Sequence, residues 1–252
     1  MTGGDGSWLT GPSSSLPVAP AGRRPAHRGV MVGMSSWLLC HPPLLSAAVL
    51  GPLRDGLRAR GHEVVVPDLR SAVETAEDWW VRYTEEAVAH GSDRPVDVVV
   101  GYSGAGVVLP RVAAAVRATR VVWVDAVVPA RSGVTLPSPD LRAMVRGMAR
   151  DGLLPPWPTW WGPDALTELV PDPELRAQIT AEAPSLPVDL YDQAVPVPGS
   201  WPDADVTYVH LSPAYDADAE EARRRGWRVV GDGAGMHTDV ATDPAAVLEL
   251  LG

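Results

Sequence analysis

The sequence predicts an α/β domain: a mostly parallel sheet with helices on both faces, plus a helical lid rich in Pro and Trp. Three observations predict it. Short Val-rich runs recur along the chain, as strands buried on both faces require. Stretches with apolar residues at helical spacing lie between them, the alternation of a parallel sheet with crossover helices. A Gly-rich turn, Gly101-Tyr102-Ser103-Gly104-Ala105-Gly106, joins one such run to one such stretch.

The elements follow in order. Trp37-Leu38-Leu39-Cys40 reads as a buried strand ending at His41-Pro42-Pro43. Residues 50–60 have helical spacing, and Gly61 is the stop signal. Residues 63–69 form a second strand, and 75–90 a helix with Trp79, Trp80 and Tyr83 near one face. Residues 96–100 are a third strand, 105–116 a helix and 120–124 a fourth strand. From about 131 to 201 the pattern changes to dense Pro and Trp, including Pro155-Pro156-Trp157-Pro158-Thr159-Trp160-Trp161. This is the expected lid over the sheet's carboxyl edge, with helical pieces at 139–150 and 173–183. The sheet resumes at 205–211. A helix at 218–226, a strand at 227–230 and a helix at 244–251 close the fold.

The first stretch, 1–33, is rich in Gly, Ser, Pro and Ala. It cannot bury enough apolar surface to offset its ordering entropy. It reads as a disordered tail or a start-site extension, with Met34 opening the domain at 34–252.

The whole chain has 252 residues and a formal charge of −10, which argues against a nucleic-acid or anionic-membrane surface. A single cysteine, Cys40, excludes an intrachain disulfide and a Cys-rich metal site. There is no lysine, so Schiff-base chemistry on lysine, including the usual pyridoxal phosphate site, is excluded. No apolar run approaches the ~18 residues of a transmembrane helix. No secretory h-region is present. The expectation is a cytoplasmic, cofactor-free protein with a small-molecule substrate and no metal; the oligomeric state is not legible.

The sharpest signal is Gly101-Tyr102-Ser103-Gly104-Ala105, a G-x-S-x-G pattern with Ala105 in the last place. It stands between a strand and a helix, the context a nucleophile elbow needs. Such a turn lifts the serine Oγ above the sheet and turns the Gly104 N–H toward a developing oxyanion. A phosphate loop is the plainer alternative, but the turn lacks a P-loop lysine and the G-x-G-x-x-G spacing. Chains with such an elbow run serine, acid, histidine. His237 follows the strand at 227–230 and precedes the last helix, where the base belongs. Asp216, after the strand at 205–211, is the first candidate for the acid. Asp125, ending the strand at 120–124, is the alternative. His210 lies within a strand and reads as structural. Cys40 and His41 are adjacent on a strand, point to opposite faces and cannot act as a pair.

With these residues placed, the stretch from about Trp37 onward resembles the α/β-hydrolase fold superfamily. It is most similar to a bacterial branch distantly related to methylesterases and hydroxynitrile lyases. The stretches that carry this are His41-Pro42-Pro43-Leu44, residues 58–69, the elbow at Ser103, Val124-Asp125-Ala126-Val127-Val128-Pro129, and Gly226-Trp227 leading to His237. The small apolar ester or lactone expected as substrate follows from the Trp and Pro content of the lid; the resemblance itself implies an enzyme, either a serine hydrolase or a lyase or cyclase on the same scaffold. It also implies an oxyanion hole finished after the first strand. Here Pro43 takes that place and has no N–H to offer. Leu44 N–H, a lid hydroxyl such as Thr159, or water are the substitutes. The expected substrate pocket comprises His41, Pro43, Tyr102, Trp157, Trp160 and Trp161, with packing against the core as the plainer reading of Tyr102 and the tryptophans.

Overall fold

The computed structural model describes residues 33–91, 95–162, 165–199 and 204–252. The expected tail falls outside these residues except for Gly33, as does the lid's expected last residue, Trp201.

The Val-rich runs extend because branched side chains fit a pleated surface buried on both sides. They give β1 (Ser36–Cys40), β2 (Glu63–Val65), β3 (Val98–Tyr102) and β4 (Arg120–Val124). The insertion that follows holds four two-residue strands: β5 (Val134–Thr135), β6 (Leu153–Leu154), β7 (Leu186–Pro187) and β8 (Val195–Pro196). Then come β9 (Asp205–Val209) and β10 (Arg228–Val230). The long strands form one sheet in the order β10-β9-β4-β3-β1-β2, with every pairing parallel. β2 ends earlier than expected because Pro67 has no N–H for the ladder. The chain reverses its direction of travel across the sheet between β1 and β3. In an open parallel sheet that switch point, at the carboxyl ends, is where ligands bind.

Helices cover both faces: α1 (Gly51–Ala59), α2 (Trp79–Gly91), α3 (Leu109–Val116), α7 (Asp216–Arg224), α8 (Asp239–Thr242) and α9 (Pro244–Leu251). Strand alternation divides the core in two. Leu38, Cys40, Val99, Val121 and Trp123 pack with Tyr83, Leu109, Val112, Ala219 and Ala222 of α2, α3 and α7. Leu39, Val98, Val100, Tyr102, Val122 and Val124 pack with Leu53, Leu57, Val240, Val247 and Leu251 of α1, α8 and α9. α2 starts later than expected, after a 3-10 turn at Ser71–Val73 and a left-handed Asp78 at φ 48°. α3 is also shortened: Ser103–Val107 forms a 3-10 turn, and Pro110 sits in the helix's first turn, where its missing N–H costs nothing.

Between β4 and β9 the chain forms α4 (Pro139–Met148), α5 (Ala165–Leu169) and α6 (Pro173–Glu182). Ser138 and Asp172 cap α4 and α6, each accepting a backbone N–H from three residues on. Two antiparallel ladders, β5–β8 and β6–β7, close this insertion on itself. Its α6 end is tied to the loop after β1, where Ser46 Oγ donates to Glu182 at 2.7 Å. Arg70 also donates to the Glu182 carbonyl at 3.1 Å.

Candidate active site

The elbow stands at the carboxyl end of β3. Tyr102 is extended, but Ser103 has φ 57°, a left-handed conformation that L residues adopt only under constraint. The constraint is visible. The Val127 N–H donates to the Ser103 carbonyl at 3.1 Å. A Cβ on Gly106 would lie 2.2 Å from the Val127 carbonyl oxygen, so only glycine lets the loop after β4 approach the turn this closely. Gly104 is the second residue of the 3-10 turn that Ser103 opens, where N–H groups lack an intrahelical acceptor.

That same loop carries the carboxylate. Asp125 ends β4 in a left-handed conformation, φ 43°, and is fully buried. Successive N–H groups pin the loop: Asp125 to the Val209 carbonyl at 2.8 Å, Ala126 to the Tyr208 hydroxyl at 3.2 Å, and Val128 to Asp218 at 2.6 Å. The Asp125 carboxylate accepts Leu211 N–H at 3.0 Å, Ser212 N–H at 3.1 Å, the Ser212 hydroxyl at 2.5 Å and His237 Nδ1–H at 2.8 Å. Burial pushes this carboxyl up, but the bonds from His237 and Ser212 outweigh it and hold it below the usual carboxylate range.

The carboxylate on His237 is therefore Asp125 and not Asp216. Asp216 opens α7, its side chain is 69% exposed, and it lies 2.9 Å from Nε2 of His210. The left-handed turn at Asp125 aims its carboxylate beneath the end of β9, while the 3-10 turn Pro213–Tyr215 carries Asp216 away. His210 is buried as expected, with neither ring nitrogen in hydrogen-bonding geometry.

Two tyrosines hold the His237 ring. Tyr102 stacks on one side at 4.7 Å and 25°, and its hydroxyl donates to the His237 carbonyl at 2.8 Å. Tyr215 also stacks on it, at 4.8 Å and 16°. The Tyr215 hydroxyl lies 3.1 Å from Ser103 Oγ. In this state the hydrogen bond of Ser103 is to Tyr215, not to His237. Burial pushes the Tyr215 phenol up to about 12, against the lowering effect of Ser103, so it keeps its proton at neutral pH. Tyr102 is fully buried and positions His237, which removes it from the expected substrate pocket.

Next to Ser103 in the chain, a Cβ on Gly104 would meet Pro43 at 3.4 Å and Pro42 at 3.9 Å. The Pro42 carbonyl accepts the Leu45 N–H at 3.1 Å, which makes Pro43 and Leu44 the centre of a tight turn. His41 is not a pocket residue. It is fully buried, and its Nε2 accepts the Leu69 N–H at 2.9 Å. The proton must then sit on Nδ1, which donates to the Pro42 carbonyl at 3.0 Å. Burial holds this imidazole below its ordinary pKa, so the bracing turn is neutral. Thr159 donates to the Pro156 carbonyl at 2.8 Å and closes its own turn. Cys40 is buried, with its thiol pushed up to about 12 by burial.

The tryptophans follow the plainer of the two readings at two of the three positions. Trp157 and Trp160 pack half-buried against the two core clusters, and Trp160 Nε1 donates to the Pro155 carbonyl at 2.8 Å. Trp161 is 58% exposed. Tyr191 lies in the insertion's 3-10 turn Val188–Asp192, and burial first, then the Tyr215 phenol, push its phenol up. Tyr215 and Ser212 were missed from sequence. Both stand in Ser212-Pro213-Ala214-Tyr215-Asp216, where Asp216 drew the attention; a second hydroxyl beside the candidate acid was the available signal. Among the described residues, no group of three His, Cys, Asp and Glu side chains is placed to hold a metal ion. No helix among them is long and apolar enough to cross a membrane.

The architecture matches solved structures over 86% of the chain. An extracellular α/β-hydrolase from a Paenibacillus species matches over 97% of its own length, with a TM-score of 0.64 and 17% identity. This chain has the α/β-hydrolase fold. Polyneuridine aldehyde esterase matches that fold over 98% of its length, at a TM-score of 0.64 and 15% identity. The pyrethroid hydrolase PytH matches over 96%, at 0.65 and 16%. Tomato methylketone synthase I, bound to 2-tridecanone, matches over 96%, at 0.63 and 14%. No protein-family model and no curated protein matches the sequence.

Proposed function

We propose that the protein is a cofactor-free serine hydrolase of small, largely apolar esters or lactones, with Ser103 as nucleophile, His237 as base and Asp125 as the acid. The observation that carries this is the left-handed Ser103 on an elbow tied to the same loop that seats Asp125 on His237. Ser103 Oγ turns from Tyr215 to His237 Nε2 and attacks the carbonyl carbon, and His237 takes its proton. Asp125 fixes the proton-bearing nitrogen as Nδ1 and stabilises the imidazolium. Gly104 N–H, with Leu44 N–H as second donor, meets the oxyanion. The polyneuridine aldehyde esterase and PytH likenesses agree with ester chemistry.

The insertion between β4 and β9 acts as the lid. Its ties through Glu182 to Ser46 and Arg70, on the loops after β1 and β2, support that role. Small substrates follow from the half-buried Ser103 and the buried Pro42 and Pro43 around it.

One observation favours a second reading, a lyase or cyclase. Pro43 stands against Gly104 with no N–H, which weakens an oxyanion hole that hydrolysis needs more than proton transfer does. The test is turnover of p-nitrophenyl butyrate and γ-butyrolactone by wild type and Ser103→Ala. Hydrolysis by wild type, lost by about 10⁶ in kcat in the variant, is the expected result. Folded wild type inert on both substrates contradicts the hydrolase reading.

A further inference from the structure

We propose that Tyr215 is a catalytic residue, whose hydroxyl donates a hydrogen bond to the leaving oxygen of the ester and so adapts the site to alkyl esters. The inference rests on the serine-hydrolase reading above.

The argument is geometric. The Tyr215 phenol lies 3.1 Å from Ser103 Oγ, within reach of any oxygen on the carbon that Oγ attacks. Its ring stacks at 16° on His237, so the hydroxyl that meets Ser103 is carried by a ring packed on the base. Gly104, next to Ser103, stands against the turn centred on Pro43 and Leu44, and the N–H groups of Gly104 and Leu44 are the oxyanion donors of that reading. In acyl transfer by a serine, the histidine returns its proton to the leaving atom, so that atom departs beside the histidine. Tyr215 is there. Its phenol, raised by burial, stays protonated at working pH and serves as a donor, not a base.

The step balances. The Oγ–carbon bond forms as the Ser103 proton passes to His237. The carbon–oxygen bond to the alcohol then breaks, and the oxygen leaves with the electron pair. That oxygen takes the proton from His237 and, as it departs, accepts a hydrogen bond from Tyr215, which keeps its own proton. Water repeats the sequence to release the acid. An alkoxide develops far more charge than a p-nitrophenolate, so the donor matters most for alkyl esters.

The experiment compares ethyl butyrate with p-nitrophenyl butyrate, using wild type, Tyr215→Phe and Tyr102→Phe, each checked for Tm. Tyr215→Phe keeps the stacked ring and loses the hydroxyl. It is expected to lower kcat/KM on ethyl butyrate by about 10²-fold, the loss typical of one donor to a developing oxyanion, and on p-nitrophenyl butyrate by only a few-fold. Tyr102→Phe disturbs His237 alone and lowers both rates by the same factor. An equal loss on both esters in Tyr215→Phe, or no loss, overturns the proposal. Should Tyr215→Phe not fold, 2,3-difluorotyrosine at position 215, a stronger donor of the same shape, is expected to raise the ethyl-to-nitrophenyl rate ratio; an unchanged ratio overturns the proposal. A folded wild type that hydrolyses neither ester overturns the parent reading too, and that failure shows before any variant is compared.

Discussion

Asp125 and Asp216 show how little a carboxylate's position in the chain says about its partner. Asp125 accepts hydrogen bonds from Leu211, Ser212 and His237 and is fully buried; Asp216 is exposed on His210. Asp125→Asn is therefore expected to lower kcat by about 10⁴, because an amide at that position cannot hold the same tautomer and cation of His237. Asp216→Asn is expected to leave kcat within a few-fold. Steady-state kinetics on p-nitrophenyl butyrate checks both; the reverse ranking would return the acid role to Asp216. The sequence carried a usable sign. Asp125 terminates Val121-Val122-Trp123-Val124, and a charge closing a fully apolar strand is buried and needs partners. Tyr215 carried no such sign, because its contact with Ser103 joins residues 112 apart in sequence.

At the scale of the element, the elbow is held by strain and close approach. Ser103 at φ 57° lets a substitution separate conformation from chemistry. Both Ser103→Gly and Ser103→Ala abolish the nucleophile, but Gly adopts φ > 0 freely. Ser103→Gly is expected to be about 1 kcal/mol more stable than Ser103→Ala in urea unfolding. Equal stability would mean that the turn relaxes without the serine. Gly106→Ala is expected to cost about 1–3 kcal/mol, since its Cβ would sit 2.2 Å from the Val127 carbonyl oxygen. The strand–elbow–helix pattern was legible because Val periodicity and small residues are local signals. The place of the tryptophans was not, because apolar side chains in a Pro-rich insertion read alike whether they line a site or pack on the core, as Trp157 and Trp160 do.

Across the whole molecule, two carboxylates at the loop after β4, the fully buried Asp125 and the partly buried Asp218 of α7 that accepts the Val128 N–H, give stability opposite slopes with pH. Asp125 is held below its ordinary pKa, so its stabilisation is complete above the unfolded value of about 3.9 and is lost as pH falls through the lower folded value. Burial pushes Asp218 up, against the Val128 N–H that it accepts. Its cost is absent below about 3.9 and sets in as pH rises through the higher folded value. Measured by Tm between pH 3 and 7, the deficit of Asp125→Asn is expected to shrink toward pH 3. Asp218→Asn is expected to match or exceed wild type at pH 7 and lose that advantage toward pH 3. Parallel curves would contradict both assignments. The parallel sheet covered on both faces followed from periodicity; the strand order and the direction in which each loop turns its carboxylate depend on contacts between β4, β9 and β10 that no local pattern encodes.

The central claim is an activated serine at position 103, and covalent capture tests it most directly. Wild type, Ser103→Ala and His237→Ala would be incubated with a fluorophosphonate and weighed intact. One adduct on wild type, absent in Ser103→Ala and formed far more slowly in His237→Ala, is the predicted result. A folded wild type that takes no adduct, or an adduct that persists in Ser103→Ala, would contradict it.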